Sequence, residues 1–293
     1  MLLLTGATGS VGSRLLPLLL ERGEDVRCLV REPRRLGARR VDVQIALGDL
    51  GEMSDPYLVR QALRGVDTVV HLAATIRDQP PRRIEELNGL ATVRLLRAAE
   101  RSGVSRFVFF SALNASATQR TRFFRAKWLA EQAVASSALQ TTIFVPSIVY
   151  DRSDPWITLL RRFSFLPVLP VSGTGRARFE PIWASDAARC VVAALERSQR
   201  PRYELAGPEA LSYNEMSDLV SRIAGRPRPL VHLPLPLVRS SLIAARSLFG
   251  EAVFATWEEA ELMEVPMVSE RGTADAEELG VEPRRMDDVL EGD

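Results

Sequence analysis

The chain has 293 residues, 46% apolar and 26% charged, which is enough apolar content for a large buried core and too much for a disordered chain. Its 38 basic and 37 acidic residues leave a formal net charge of +1, so no overall excess points to a nucleic acid or an anionic membrane surface. Two cysteines, Cys28 and Cys190, exclude a disulfide framework and a cysteine-rich metal site, and they fit a reducing, cytoplasmic compartment.

The first half alternates short apolar runs with helix-like segments, the pattern of a parallel sheet covered on both faces. Strands are predicted at Leu2–Thr5, Val26–Val30, Val43–Leu47, Thr68–Leu72, Arg106–Phe110 and Thr141–Val145. Helices are predicted between them, from Ser10 to Arg22, Asp55 to Arg64, Arg83 to Ser102 and Thr121 to Ser137. Pro17 lies inside the first of these and should kink it. Right-handed crossovers between six such strands give a doubly wound α/β domain over residues 1–150.

After about Pro146 prolines crowd together, and residues 151–293 read as a smaller lobe beside the carboxyl edge of the sheet. A helix near Ser185–Arg197 and a strand near Tyr203–Ala206 are expected to return to the sheet from it. The most apolar stretch, residues 232–250, is broken by Arg239, Arg246 and two prolines and predicts no membrane span. A first strand beginning at Leu2 leaves no room for a secretory leader, which again suggests a cytoplasmic protein.

The strand LLLT runs straight into Gly6-Ala7-Thr8-Gly9-Ser10-Val11-Gly12, which opens a helix. The first glycine permits a tight turn, the second lets backbone approach a pyrophosphate, and the third allows close helix–strand packing. Unpaired N–H groups at the positive end of the helix then meet the phosphates. Nineteen residues past Gly12 the second strand ends at Arg31, where NAD-binding units carry an acidic residue for the ribose. A guanidinium there pairs instead with a 2′-phosphate, so the expected cofactor is NADP(H), with Arg34 and Arg35 as reinforcement. Asp49 and Leu50 follow the third strand, placed to accept from the adenine amino group and to cover the ring. Leu72, Ala73 and Ala74 follow the fourth, small enough for the dinucleotide to cross, while His71 reads as a core residue with a hydrogen-bond partner.

The segments TGATGSVG, GDL, DTVVHLAA and ELNGLATVRLLRAAERSGVSRFVFFSA together resemble the extended and atypical short-chain dehydrogenase/reductases. FVPSIVYD, FEPIWASDAA and YELAGPEALSYNEMSDLVSRIAGRP extend the likeness over nearly the whole chain. It is most similar to the NAD(P)H-binding branch that includes the nucleotide-binding accessory subunit of respiratory complex I. The resemblance implies a Rossmann doubly wound sheet with a smaller C-terminal substrate lobe. It also implies hydride chemistry supported by a Tyr four residues before a Lys, with a Ser nearby.

Lys127, the only lysine beside 37 arginines, matches the family's Lys, but Phe123 stands where the Tyr belongs. The usual Ser place falls on Ala112, and a shift of one residue would restore Ser111. Asn88 matches an Asn that supports the family's hydrogen-bond network, and Pro146 and Ile148 lie where the family's main chain meets the nicotinamide amide. Tyr150 is the nearest phenol in sequence to that edge, and either packs or substitutes as an acid. The aromatic residues Trp156, Phe163, Phe165, Trp183 and Phe254, with His232, either line an apolar pocket or belong to the core. Two functions follow. One is an NADP(H)-dependent oxidoreductase passing hydride to a small apolar acceptor through a degenerate relay. The other is a non-catalytic NADP(H)-binding sensor or structural subunit. Neither requires a metal or a nucleic acid.

Overall fold

Runs of Leu, Val, Ile and Phe short enough for strands, each closed by a turn, assemble into a seven-stranded parallel sheet. The computed structural model describes residues 1–49, 51, 55–79, 81–197, 200–249 and 256–292. The chain enters through β1 (Leu2–Thr5), α1 (Ser10–Glu21), β2 (Val26–Val30), β3 (Gln44–Leu47), α2 (Pro56–Leu63) and β4 (Thr68–His71). It continues through α3 (Ala91–Arg101), β5 (Arg106–Phe110), α4 (Arg122–Ala135) and β6 (Gln140–Pro146). All six predicted strands and all four predicted helices of this half are present.

The second half contributes β7 (Val149–Tyr150), α5 (Pro155–Phe163), β8 (Leu169–Ser172), β9 (Arg178–Phe179), β10 (Ile182–Trp183) and α6 (Ala184–Arg197). Next come β11 (Arg202–Leu205), β12 (Leu211–Ser212), α7 (Tyr213–Ile223), β13 (Leu230–Leu233) and α8 (Leu235–Phe249). Three short helices close the chain: α9 (Trp257–Leu262), α10 (Ala274–Glu278) and α11 (Met286–Glu291). The sheet runs β3-β2-β1-β4-β5-β6-β11, with every neighbouring pair parallel. Its order reverses at β1, beside β4, which is where open α/β sheets leave a crevice at their carboxyl ends.

Alternation along the strands divides the core in two. Leu3, Val69 and Phe107 face the layer that includes Leu95 and Phe124. Leu4, Val70 and Val108 face the layer that includes Leu15 of α1 and Ala187 of α6. Cys28 and Cys190 lie in this second layer as free thiols, each pushed up to about 12 by burial, so neither is a nucleophile.

Two local features depart from the expected helices. α1 continues as one helix past Pro17, which lies on a half-buried side; the ring removes only the bond to the carbonyl of exposed Ser13. The helix predicted from Arg83 instead widens over Glu86–Leu90, where the Ala91 N–H reaches back to the Glu86 carbonyl, before α3 proper begins. Among the described residues no helix is long and apolar enough to cross a membrane, and no group of His, Cys, Asp and Glu is placed to hold a metal.

Candidate functional site

The carboxyl ends of β1, β2 and β4 open on a cleft of about 310 Å³. Gly6, Ala7, Thr8 and Gly9 form its floor, Arg31, Arg35 and Asp49 one end, and Leu72, Ala73, Ala74 and Thr75 a wall. The floor depends on its glycines. Gly6 has φ +76°, and a Cβ there would come within 2.6 Å of the Ala73 nitrogen. A Cβ on Gly12 would lie 2.1 Å from the Gly6 carbonyl oxygen, so the third glycine lets α1 pack on its own loop rather than on a strand. Gly9 caps α1 with no side-chain hydrogen bond, and the first turn holds no acidic residue. An uncapped, positive helix end thus faces the cleft, as a pyrophosphate requires.

Ser10, Val11 and Gly12 continue into α1 and do not line the cleft. The Ser10 hydroxyl donates to Asp154 at 2.9 Å, and Asp154 also accepts from the Trp156 N–H at the start of α5. One turn on, Arg14 makes a two-pronged bond to Asp151 at 2.6 and 2.7 Å. The nucleotide-loop helix is thereby clamped to the second half of the chain. Both partners lie well over one hundred residues away, and no local signal in the sequence announces them.

At the other end, the Arg31 guanidinium donates to the Gln79 side-chain amide oxygen, Oε1, at 2.7 Å and lies 3.5 Å from the Asp49 carboxylate. Asp49 also accepts from the Gly51 N–H at 2.7 Å and sits 3.4 Å from Arg82. Arg31 and Arg82 beside one carboxylate, with Arg35 also lining the cleft, leave this end positive, a field that fits an extra phosphate. Leu50 lies outside the described residues.

A chain of buried hydrogen bonds holds the wall. Thr92 donates to the Asn88 carbonyl at 2.8 Å, so its oxygen accepts from His71 Nε2–H, also at 2.8 Å. His71 Nδ1 then accepts from the Thr5 hydroxyl at 2.7 Å, and Thr5 accepts from the Ala73 N–H at 3.4 Å. Burial and the nearby Lys127 charge pull His71 down to about 3, so it stays neutral and serves as a strut. Asn88 grips the next residues of the wall: its amide accepts from the Thr75 N–H at 2.9 Å and donates to the Thr75 carbonyl at 2.7 Å. The widened turn holds Asn88 in this position.

Lys127, Ser111, Asn88, Pro146 and Ile148 do not line the 310 Å³ cleft. Lys127 is 3% exposed, and its ammonium donates to the Phe110 carbonyl at 2.6 Å, 5.0 Å from the centre of the Phe109 ring. Burial lowers it to about 7 against the opposing pull of Glu131. Phe123, one helical turn earlier, presents its ring centre 5.9 Å from the same ammonium. The Ser111 hydroxyl donates to Glu131, which pairs in turn with Arg202 at 3.3 Å. The Pro146 carbonyl accepts from the Leu113 N–H and the Ile148 carbonyl from the Ile182 N–H. Tyr150 is fully buried; its hydroxyl has no partner among the described residues, and burial raises its pKa. Trp156 and Trp183 pack against the core, whereas Phe165 stands 67% exposed and Phe254 lies outside the described residues. Gln79, Thr75 and Arg82 join the site without any motif to mark them.

A second cavity, of about 440 Å³, lies between α8 and Trp257 and offers Arg239 as its one charged group. The chemistry-bearing residues gather around the first.

A sequence profile of the NAD(P)H-binding family matches residues 6–162, more than half of the chain, and spans the glycine loop and the wall from Leu72 to Thr75. The chain belongs to that family. It resembles the extended and atypical short-chain dehydrogenase/reductases. A similar family member is the NAD(P)H azoreductase of Xenophilus azovorans, 30% identical over 83% of this chain and 80% of its own length. Another is the mitochondrial NADH dehydrogenase [ubiquinone] 1 alpha subcomplex subunit 9 of Arabidopsis thaliana, 28% identical over 80% of this chain. The chain spans 60% of the length of that relative. The same short-chain dehydrogenase/reductase fold occurs in the dTDP-glucose 4,6-dehydratase of Streptomyces venezuelae, crystallised with NAD and DAU. That structure superposes at a TM-score of 0.75 and 19% identity over 99% of this chain and 94% of its own.

Proposed function

We propose that this protein is an NADP(H)-dependent reductase that passes hydride to a small apolar acceptor and supplies no phenolic proton of its own. The positive end of the cleft, with Arg31 and Arg35 beside an uncapped α1, carries the reading. When bound, the dinucleotide supplies the hydride. Gly6, Thr8 and Gly9 hold its phosphates, with Ser10, Val11 and Gly12 contributing the start of α1. Arg31 takes the 2′-phosphate, and Asp49 accepts from the adenine amino group. Leu72, Ala73 and Ala74 would form the surface along which the dinucleotide runs, and the family resemblance assigns Lys127, Pro146 and Ile148, which do not line the cleft, to the nicotinamide end.

Asn88 positions the wall through Thr75, and Ser111, whose hydroxyl is committed to Glu131, plays no part in proton transfer. Phe123 keeps water from Lys127 and has no proton to give. A reduced acceptor must therefore take its proton from solvent or carry it already, which favours quinone-like, azo or enone groups over simple ketones. The azoreductase relative supports this class of acceptor. Fluorescence titration with NADPH and NADH tests the cofactor: tight NADPH binding with weaker NADH is expected, and equal affinity sinks the 2′-phosphate assignment. NADPH consumption with quinone and azo acceptors tests the chemistry. The second reading, a non-catalytic nucleotide-binding subunit, is favoured by Phe123, and it wins if NADPH binds but no acceptor is turned over.

A further inference from the structure

The net charge of +1 conceals a division within the molecule. Residues 155–179 and 219–250 hold nine arginines and no aspartate or glutamate. Removing these nine from the 38 basic residues leaves 29 against 37 acidic in the rest of the chain. A unit of charge +9 is thus attached to a body of charge −8.

The two stretches form one unit in space. β8 of the first pairs in parallel with β13 of the second, from Leu169 opposite Leu230 to Ser172 opposite Leu233. The Arg226 guanidinium lies 3.8 Å over the Phe165 ring, and Arg228 donates to the Ser164 carbonyl at 3.1 Å. Among the described side chains only Arg222 of the nine pairs with a carboxylate, that of Asp218 at 3.0 Å. Arg162, Arg176, Arg178, Arg222, Arg226 and Arg239 are exposed to solvent.

Apolar side chains of the same two stretches are exposed as well. Phe165 is 67% exposed, Leu237 58% and Ile243 54%, with Leu166 at 44%. Along α8 from Leu235 to Ala244, Val238 alone is buried. A soluble helix normally buries its apolar stripe, and this one leaves most of it to solvent.

Few partners take both features. A soluble polyanion would pair with the guanidinium groups and leave the Leu, Ile and Phe side chains wet. An uncharged apolar surface would do the reverse. A bilayer with anionic headgroups accepts both: the apolar side chains enter the acyl boundary while arginine stems lie along it and their heads reach the phosphates. With 15 residues, α8 is about 22 Å long, shorter than a hydrocarbon core of about 30 Å, so it lies on the surface rather than through it. We propose that residues 155–179 and 219–249 form a docking surface that lays this protein on an anionic lipid bilayer, with α8 seated in the headgroup layer.

Flotation of the purified full chain with phosphatidylcholine vesicles, with and without added phosphatidylserine, tests this. Binding is expected only when phosphatidylserine is present. Changing Arg162, Arg176 and Arg239 to Gln should weaken it about fivefold for each arginine. Leu237→Ser with Ile243→Ser, at unchanged charge, should weaken it about tenfold or more. All five are surface side chains outside the nucleotide cleft, and unchanged melting and NADPH binding in the variants separates lost docking from lost folding. Equal flotation with both vesicles, or with neither, overturns the proposal. Heparin capture without flotation also overturns it and assigns the surface to a soluble polyanion.

Discussion

The adenosine end of the cleft and the buried region around Lys127 differ in what their polar residues face. At the adenosine end, Arg31, Arg35 and Asp49 line the cavity, with Arg31 also bonded to Gln79 and Asp49 to the Gly51 N–H. Around Lys127, outside the lining of the cleft, the polar groups bond inward: the ammonium to Phe110, Ser111 to Glu131, and Asn88 to Thr75. Phe123 covers the lysine with a ring that cannot exchange a proton. Binding and proton transfer are thus separable in this fold. The first needs backbone N–H groups and a glycine floor, which no side-chain substitution at the other end disturbs. The second needs a phenol within reach of an ammonium, and a single change from Tyr to Phe removes it.

The comparison breaks most sharply at the glycine floor. Gly12→Ala would push a methyl group to 2.1 Å from the Gly6 carbonyl, so the loop must shift; NADPH affinity should fall about a hundredfold by fluorescence titration. An unchanged affinity would mean that the loop does not hold the nucleotide. At the opposite end, Phe123→Tyr places a phenol beside the Lys127 ammonium and should raise turnover of simple ketones about ten- to a hundredfold. If a folded, NADPH-binding Phe123→Tyr protein shows no gain, the missing phenol is not what limits the chemistry.

A smaller effect is expected at Arg31. Arg31→Asp should weaken NADPH about tenfold and leave NADH unchanged or tighter, as the ratio of the two dissociation constants will report. The smallest effect is on stability. In the nucleotide-free fold Lys127 titrates near 7, against 10.5 for an ordinary lysine. Between these values the unfolded chain holds a proton that the folded chain has released, so stability should rise as pH rises from about 7 to 10.5. Lys127→Met should flatten that rise in melting temperature; a slope equal to that of the parent protein would locate its cause elsewhere.

Much of this molecule was legible in one dimension. Strand-length apolar runs, the turns between them and the glycine spacing are local properties, and they determined the parallel sheet, its crossovers and the loop at the end of β1. Phe123 and the solitary Lys127 were equally plain, because a missing hydroxyl is visible in the letter itself. Other features depended on which distant residues met. Asp151 and Asp154 clamp α1 from far along the chain, and Gln79 holds Arg31 from across the cleft. Ser111 turned toward Glu131 because strand alternation points it at α4. Total charge concealed the most, since summing 38 basic and 37 acidic residues erased a basic unit that exists only where β8 and β13 join two separate stretches. Composition adds charges without regard to position, whereas electrostatic potential depends on distance, and only the tertiary structure sets the distances.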